Sequence, residues 1–161
     1  MRWDRLFGDV EESAADVMAD ERDTLAEELG AEAWAEMSWT DLLTGHVVLT
    51  VQGGGEARGA VLWSAPDLVM LSADGREVAI ARDAVMTAVV SERGAATVRR
   101  VGWPAVFRAA QEDAEDVQVV RRDGGLVCGP VAAVVADAVG LVEGGRRKVS
   151  PWTALAAVRR H

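Results

Sequence analysis

The stretch "GHVVLTVQGGGEARGAVLWSAPDLVMLSADGRE", residues 45–77, is written a second time without a gap as "EDVQVVRRDGGLVCGPVAAVVADAVGLVEGGRR", residues 115–147. Val47 falls on Val117, Gly54 on Gly124, Gly55 on Gly125, Gly59 on Gly129 and Val61 on Val131. Further on, Asp67 falls on Asp137, Val69 on Val139, Leu71 on Leu141 and Arg76 on Arg146. Both blocks run to a short apolar end, "AVMTAVV" at 84–90 and "ALAAVRR" at 154–160. The correspondence weakens after residue 146, where "RRKVSPW" fits "EVAIAR" only with a small shift. Self-similarity at a fixed offset marks an internal repeat.

The unit that is repeated reads as strand. "HVVLTVQ", "EARGAVLWS", "DLVMLSA", "EVAIAR" and "MTAVVS" are short, rich in β-branched residues and separated by Gly-rich or Asp-Gly turns. Five such runs at regular spacing predict a small antiparallel barrel or sandwich. The glycines "QGGG" resemble a phosphate cradle in isolation. A phosphate loop leads from a strand into a helix whose N–H groups face the anion. Here the chain goes on into another strand, and "RDGG" occupies the same place in the second copy, so both read as hairpin turns. "SADGRE" carries the Asp-Gly pair of a tight hairpin. Gly59 and Gly129, in mid-strand, predict a sharp bend or bulge of the kind small barrels need to curl.

Each copy is preceded by helical sequence. Before copy one, Asp9 and Glu12 resemble a capping box. Val10, Ala14, Val17, Met18, Leu25 and Leu29 then form one apolar stripe, which predicts a helix over Val10–Leu29 stopped by Gly30. Its other face carries Glu11, Glu12, Asp16, Asp20, Asp23, Glu27 and Glu28, with no lysine to offset them. It reads as a solvated face or as a protein-binding surface that seeks arginines. A second short helix is expected near Glu32 to Met37. Ser38 and Asp41 in "SWTDLL" frame a further capping box. Before copy two, "SERGAATVRRVGWPAVFRAAQEDA" holds a linker and a helix near Pro104 to Asp113, Pro104 suiting the first turn.

Net charge is −9 and unevenly spread: residues 1–44 carry −10, residues 45–91 carry −2 and residues 92–161 carry +3. The basic residues concentrate in copy two. Arg121, Arg122, Arg146, Arg147, Lys148, Arg159 and Arg160, with Trp152 nearby, are the candidates for contact with nucleic acid. Arginines release counterions from phosphates, and Trp stacks bases.

Other chemistry is thin. Half of the residues are apolar, yet no run reaches the roughly 18 needed to cross a bilayer, and the amino terminus lacks a signal-peptide core. A soluble cytoplasmic protein is expected. The single cysteine, Cys128, reads as a small buried hydrophobe. His46 begins a strand and His161 is the last residue; neither has metal-ligand spacing or a place in a Ser-His-Asp order. No catalytic residue, metal, cofactor or small-molecule substrate is indicated.

A short leading helix and five bent strands, with "VVLTVQGGGEARGAVLWSAPDLVMLS" as a first motif and "AIARDAVMTAVVS" as a second, resemble the Sm/LSm-like small barrel. SH3-like barrels share much of this pattern. The chain is also similar to a set of uncharacterised proteins of high-GC bacteria that begin "MRW". The likeness covers about 39–91 and, less well, 103–161. It implies barrels that join through the backbone edges of their fourth and fifth strands. It carries over no base-holding residue, since "SAPDLVM" has no Asn and no Arg-Gly stands in the fifth strand.

The expected fold is α+β, mainly β. It has an acidic helical region (1–37), a first Sm-like barrel with its short helix (38–91), a linker (92–102) and a second barrel with its helix (103–161). The expected function is a non-catalytic interaction module that self-assembles or binds a protein partner through the strand edges of its barrels, within the chain or between chains, and through the acidic helix. The alternative is an RNA- or DNA-binding regulator that uses the copy-two arginines, with residues 1–37 masking them.

Overall fold

A computed structural model describes residues 31–32, 35–90 and 96–161. The helix expected over Val10–Leu29, with its seven acidic residues, lies outside the described residues. Among the residues just after it, Ala31, Glu32, Ala35 and Glu36 are helical. A 3-10 turn, Trp39–Leu42, follows. Its expected capping box forms, with the Ser38 side chain facing the Asp41 N–H and Asp41 Oδ2 accepting the Ser38 N–H at 2.8 Å. The Ser38 hydroxyl also accepts from Arg82 Nη2 at 2.7 Å.

Copy one then gives β1 (His46–Val51), β2 (Gly55–Ser64), β3 (Leu68–Ala73), β4 (Arg76–Ala81), a 3-10 turn (Arg82–Ala84) and β5 (Val85–Val90). After the helix α1 (Trp103–Glu112), copy two gives β6 (Asp116–Arg121), β7 (Leu126–Val134), β8 (Ala138–Glu143), β9 (Arg146–Pro151), a 3-10 turn (Trp152–Ala154) and β10 (Leu155–Arg160). The two series fall on each other in the gap-free alignment, including the region after residue 146. The small shift expected there is absent, because backbone pairing and not side-chain identity sets the register: Glu143 pairs with Arg146 and Ala138 with Pro151, as Ala73 pairs with Arg76 and Leu68 with Ala81.

The turns follow from residue type. Gln52–Gly54 closes β1 on β2, and the expected hairpin holds. Asp74 and Gly75 both take positive φ, 51° and 76°, which a two-residue hairpin of right-handed twist requires. At the mid-strand glycines the chain bends closely over its neighbour. A Cβ at Gly59 would overlap the Ser72 carbonyl, and one at Gly129 the Val142 carbonyl. Bulges follow between Val61 and Trp63 and between Val131 and Ala133. In β7 this bend separates the stretch paired with β6, up to Pro130, from the stretch paired with β8, from Val131.

The two copies do not form separate barrels. All ten strands belong to one open antiparallel sheet in the order β5-β1-β2-β3-β4-β10-β6-β7-β8-β9. The expectation of two independent five-stranded barrels is corrected accordingly, and so is the α+β class: the described residues are mostly strand, with α1 their one α-helix of ten residues, and the expected acidic helix falls outside them. The physical reason is the β4·β10 pairing. A five-strand unit in this order leaves β4 and β5 unpaired on one side, and the chain uses one such edge from each copy to join them.

The core is correspondingly continuous. Leu43, Leu49, Leu68, Leu71 and Ile80 of the first part are 1% exposed or less, as are Phe107, Val119, Val139, Leu141 and Leu155 of the second, and all belong to one apolar cluster. The helix α1 contributes Trp103, Phe107 and Ala110 as its buried face. Phe107 lies stacked on Trp152 (5.6 Å between centroids) and tilted against Trp103 (6.1 Å). No described helix is long and apolar enough to cross a membrane.

Candidate functional site

The joint between the copies is short and specific. Ala157 pairs with Ile80, Val158 with Ala79 and Arg159 with Val78. Small apolar side chains here let the two strands bury each other: Ala79 is 2% exposed, Ile80 0%, Ala156 0% and Val158 2%. Ion pairs flank it. Arg122 Nη2 lies 2.5 Å from Asp83 Oδ1, and its Nε donates to the Leu155 carbonyl at 3.0 Å. Arg160 reaches Glu77 of β4 (3.6 Å), Glu115 (2.6 Å) and Asp113. Partial burial on its own lowers the guanidinium pKa, but the bonds and charges of Asp113 and Glu115 outweigh that and raise it. The glycine turns meet here as well. A Cβ at Gly53 would run into the Arg121 and Arg122 carbonyls, and one at Gly124 would come into ordinary contact with the Gly53 carbonyl.

The same two strand positions recur at the ends of the sheet, where no described strand pairs with their outer edges. β5 is the counterpart of β10, and β9 is the counterpart of β4. Met86 is 69% exposed where its counterpart Ala156 is sealed, and Val149 is 62% exposed where its counterpart Ala79 is sealed. Val89 is exposed too. An apolar groove of about 350 Å³ runs beside β5, lined by Trp39, Leu42, Val85, Met86, Thr87 and Ala88. The β9 edge carries Arg146, Arg147 and Lys148 and ends in Pro151, which has no N–H to offer.

The candidate nucleic-acid residues do not form one cluster. Leu155 pairs with Arg121 and Arg160 with Val117, so Arg121 and Arg122 sit at one end of the β6–β10 pair and Arg159 and Arg160 at the other. Arg146, Arg147 and Lys148 lie on β9, beyond β7 and β8. Several are engaged inside the chain: Arg121 with Asp123 (3.2 Å), Arg122 with Asp83, Lys148 with Glu143, and Arg160 with its three carboxylates. Glu143 is held below the usual carboxylate range by its bond from Lys148 and then by the Cys128 N–H. The Gly125 N–H does the same for Asp123, ahead of the Arg121 charge. Trp152 stacks on Phe107 and donates its Nε1–H to the Ala136 carbonyl at 2.9 Å.

At that end of the joint a cleft of about 510 Å³ holds Trp39, Trp103 and Trp152 with Arg82 and Arg122. Both guanidinium groups are already in use, Arg82 on Ser38 and over the Trp39 ring (5.8 Å). Cys128 is half-buried and not a core residue; its N–H donates to Glu143 Oε1. His46 is exposed at the start of β1. Among the described residues no group of three or more His, Cys, Asp or Glu is placed to hold a metal ion.

The joint pairs the fourth strand of one copy with the fifth of the other, the edges the resemblance implied; sequence reasoning missed its register and the Arg160 cluster. The available signal was compositional: "VAIA" in β4 faces "KVSP" in the equivalent stretch of β9, an apolar run against a basic, proline-ended one. The chain matches no protein-family model, and none of the curated proteins compared with it matches.

Proposed function

We propose that the protein is a non-catalytic, Sm-like interaction module that assembles with further copies of itself through its two bare strand edges. One observation carries this reading. The chain already contains the joint in question, built between β4 and β10, and among the described residues no strand covers the outer edge of either counterpart, β9 or β5. Open edges with exposed apolar residues invite strand addition unless they are blunted.

The inner joint supplies the register for the outer one. Transferred through the repeat, Thr87 of one copy lies opposite Ser150 of the next, Ala88 opposite Val149, and Val89 opposite Lys148. The contact is head-to-tail, so copies close into a ring where the rotation permits and extend as a filament where it does not. Its chemistry differs from the inner joint. Glu77 and Arg160 become Arg147 and Val90, while Asp83 and Arg122 become Thr153 and Gln52, so the flanking ion pairs are gone. Backbone hydrogen bonds and the apolar groove beside β5 supply the attraction.

Cross-linking tests the register. In a Cys128→Ser background, Thr87→Cys with Ser150→Cys should give chains linked to one another on a non-reducing gel after mild oxidation. Thr87→Cys with Arg147→Cys, off register, should not. Equal linking by both pairs, or by neither, overturns the arrangement.

A further inference from the structure

A second groove opens at the joint, at the opposite end of its strands from the tryptophan cleft. It has a volume of about 580 Å³, and Arg58, Arg76, Gln118, Arg159, Arg160 and His161 supply its polar lining beside Glu56 and Asp74. The sheet register places its charges. Arg159 lies between Val78 of β4 and Gln118 of β6. Arg76 stands two residues before Val78, on the same face of β4, which makes it a diagonal neighbour of Arg159 at about 7–8 Å. Neither Arg76 nor Arg159 has a carboxylate partner among the described residues. Among the described residues Arg58 pairs with Glu56 at 2.8 Å, and both side chains are mostly exposed, a weak pair. Arg160 is neutralised by Glu77, Asp113 and Glu115.

Arg76 and Arg159, on diagonal positions of one sheet face, both line the groove, so an anion lodged there is attracted by two positive charges. Guanidinium forks match phosphate oxygens two at a time. The groove is of the size that holds a nucleotide-scale ligand. It is not a by-product of the repeat. At the equivalent positions of copy two, Cys128 replaces Arg58 and Lys148 replaces Val78, while the counterpart of Arg159 is Val89 on the far edge.

We infer that this groove binds a phosphate-bearing ligand with two or more negative charges, with Arg76 and Arg159 as the principal contacts and Arg58 and Gln118 as supporting ones. The site lies within one chain, so it goes beyond the self-assembly reading and does not depend on it.

The test is calorimetric titration of the full chain with inorganic tripolyphosphate. One equivalent per chain should bind, more weakly as salt rises. Arg76→Gln with Arg159→Gln should weaken binding roughly tenfold or more, while Arg108→Gln on the exposed side of α1 should leave it unchanged. A short single-stranded oligonucleotide provides the second arm. Competition with tripolyphosphate that is lost in the double variant assigns the phosphates to a polynucleotide backbone; failure to compete assigns them to a free compound. Absence of tripolyphosphate binding, or equal binding by the double variant, overturns the proposal. Light scattering of the double variant keeps the two readings apart, since its mass should equal that of the unaltered protein.

Discussion

The inner joint and the outer edges are the same two strand positions in two circumstances. β4 and β10 meet and are sealed; β9 and β5 are their counterparts, and no described strand covers their outer edges. The difference shows what an edge strand needs to become a core strand: small apolar residues, such as Ala79 and Ala156, and charges placed to close around the contact, such as Arg160 with Glu77. It also shows that the open edges are only partly blunted. Pro151 and the basic residues of β9 discourage pairing, whereas Met86, Val89 and the groove beside β5 favour it.

The sharpest way to break this comparison is to place one charge at both positions. Ala79→Asp buries an unpaired carboxylate in the inner joint and should cost several kcal/mol, enough to lower the melting temperature severely or prevent folding. Val149→Asp, at the equivalent place on the bare edge, should shift stability by no more than about 0.5 kcal/mol and abolish self-association. Equal thermal destabilisation by the two would mean that the positions are not equivalent.

Arg160→Gln is next in size. It strips one guanidinium from Glu77, Asp113 and Glu115 together and should destabilise the chain by about 1.5–3 kcal/mol, measured by urea unfolding. Val90→Gln, its counterpart on β5, meets no carboxylate cluster and should show no comparable loss of ion pairing when the melts are repeated in high salt.

Arg122→Gln should cost less, about 1 kcal/mol or below, because Asp83 is largely exposed. Its effect should shrink in salt. Self-association, by contrast, should persist in salt, since the outer joint has no counterpart of that pair.

The smallest effect concerns acid. Glu143 has a depressed pKa in the folded chain, so its contribution is present above the unfolded carboxylate range and is lost as pH falls through the folded value. Melts taken down through that window should show a slight extra loss that Glu143→Gln removes. A Glu143→Gln profile parallel to the unaltered one would contradict the assignment.

How much of this was legible in the sequence depends on the range of the interaction. The repeat, the hairpins at Gly53–Gly55 and Asp74–Gly75, and the bends at Gly59 and Gly129 are local, and turn chemistry announces them. The helix with Pro104 in its first turn was legible for the same reason. The joining of fourth to fifth strands was implied by the resemblance, but which edges meet inside the chain, and in what register, was not legible, because "AIA" at 79–81 and "LAAV" at 155–158 carry no mark of their partner. The arginine candidates failed to converge for a related cause. Residues adjacent in sequence, such as Arg121 and Arg122, ended at one end of a strand pair, and Arg159 and Arg160 at the other, where they met the first copy.

One measurement bears most directly on the central claim that the bare edges repeat the inner joint. Multi-angle light scattering of the full chain, at rising concentration, should give a mass of two or more copies, and Val149→Asp should return it to a single chain that melts as before. A single chain at every concentration, or an assembly that Val149→Asp leaves intact, would contradict it.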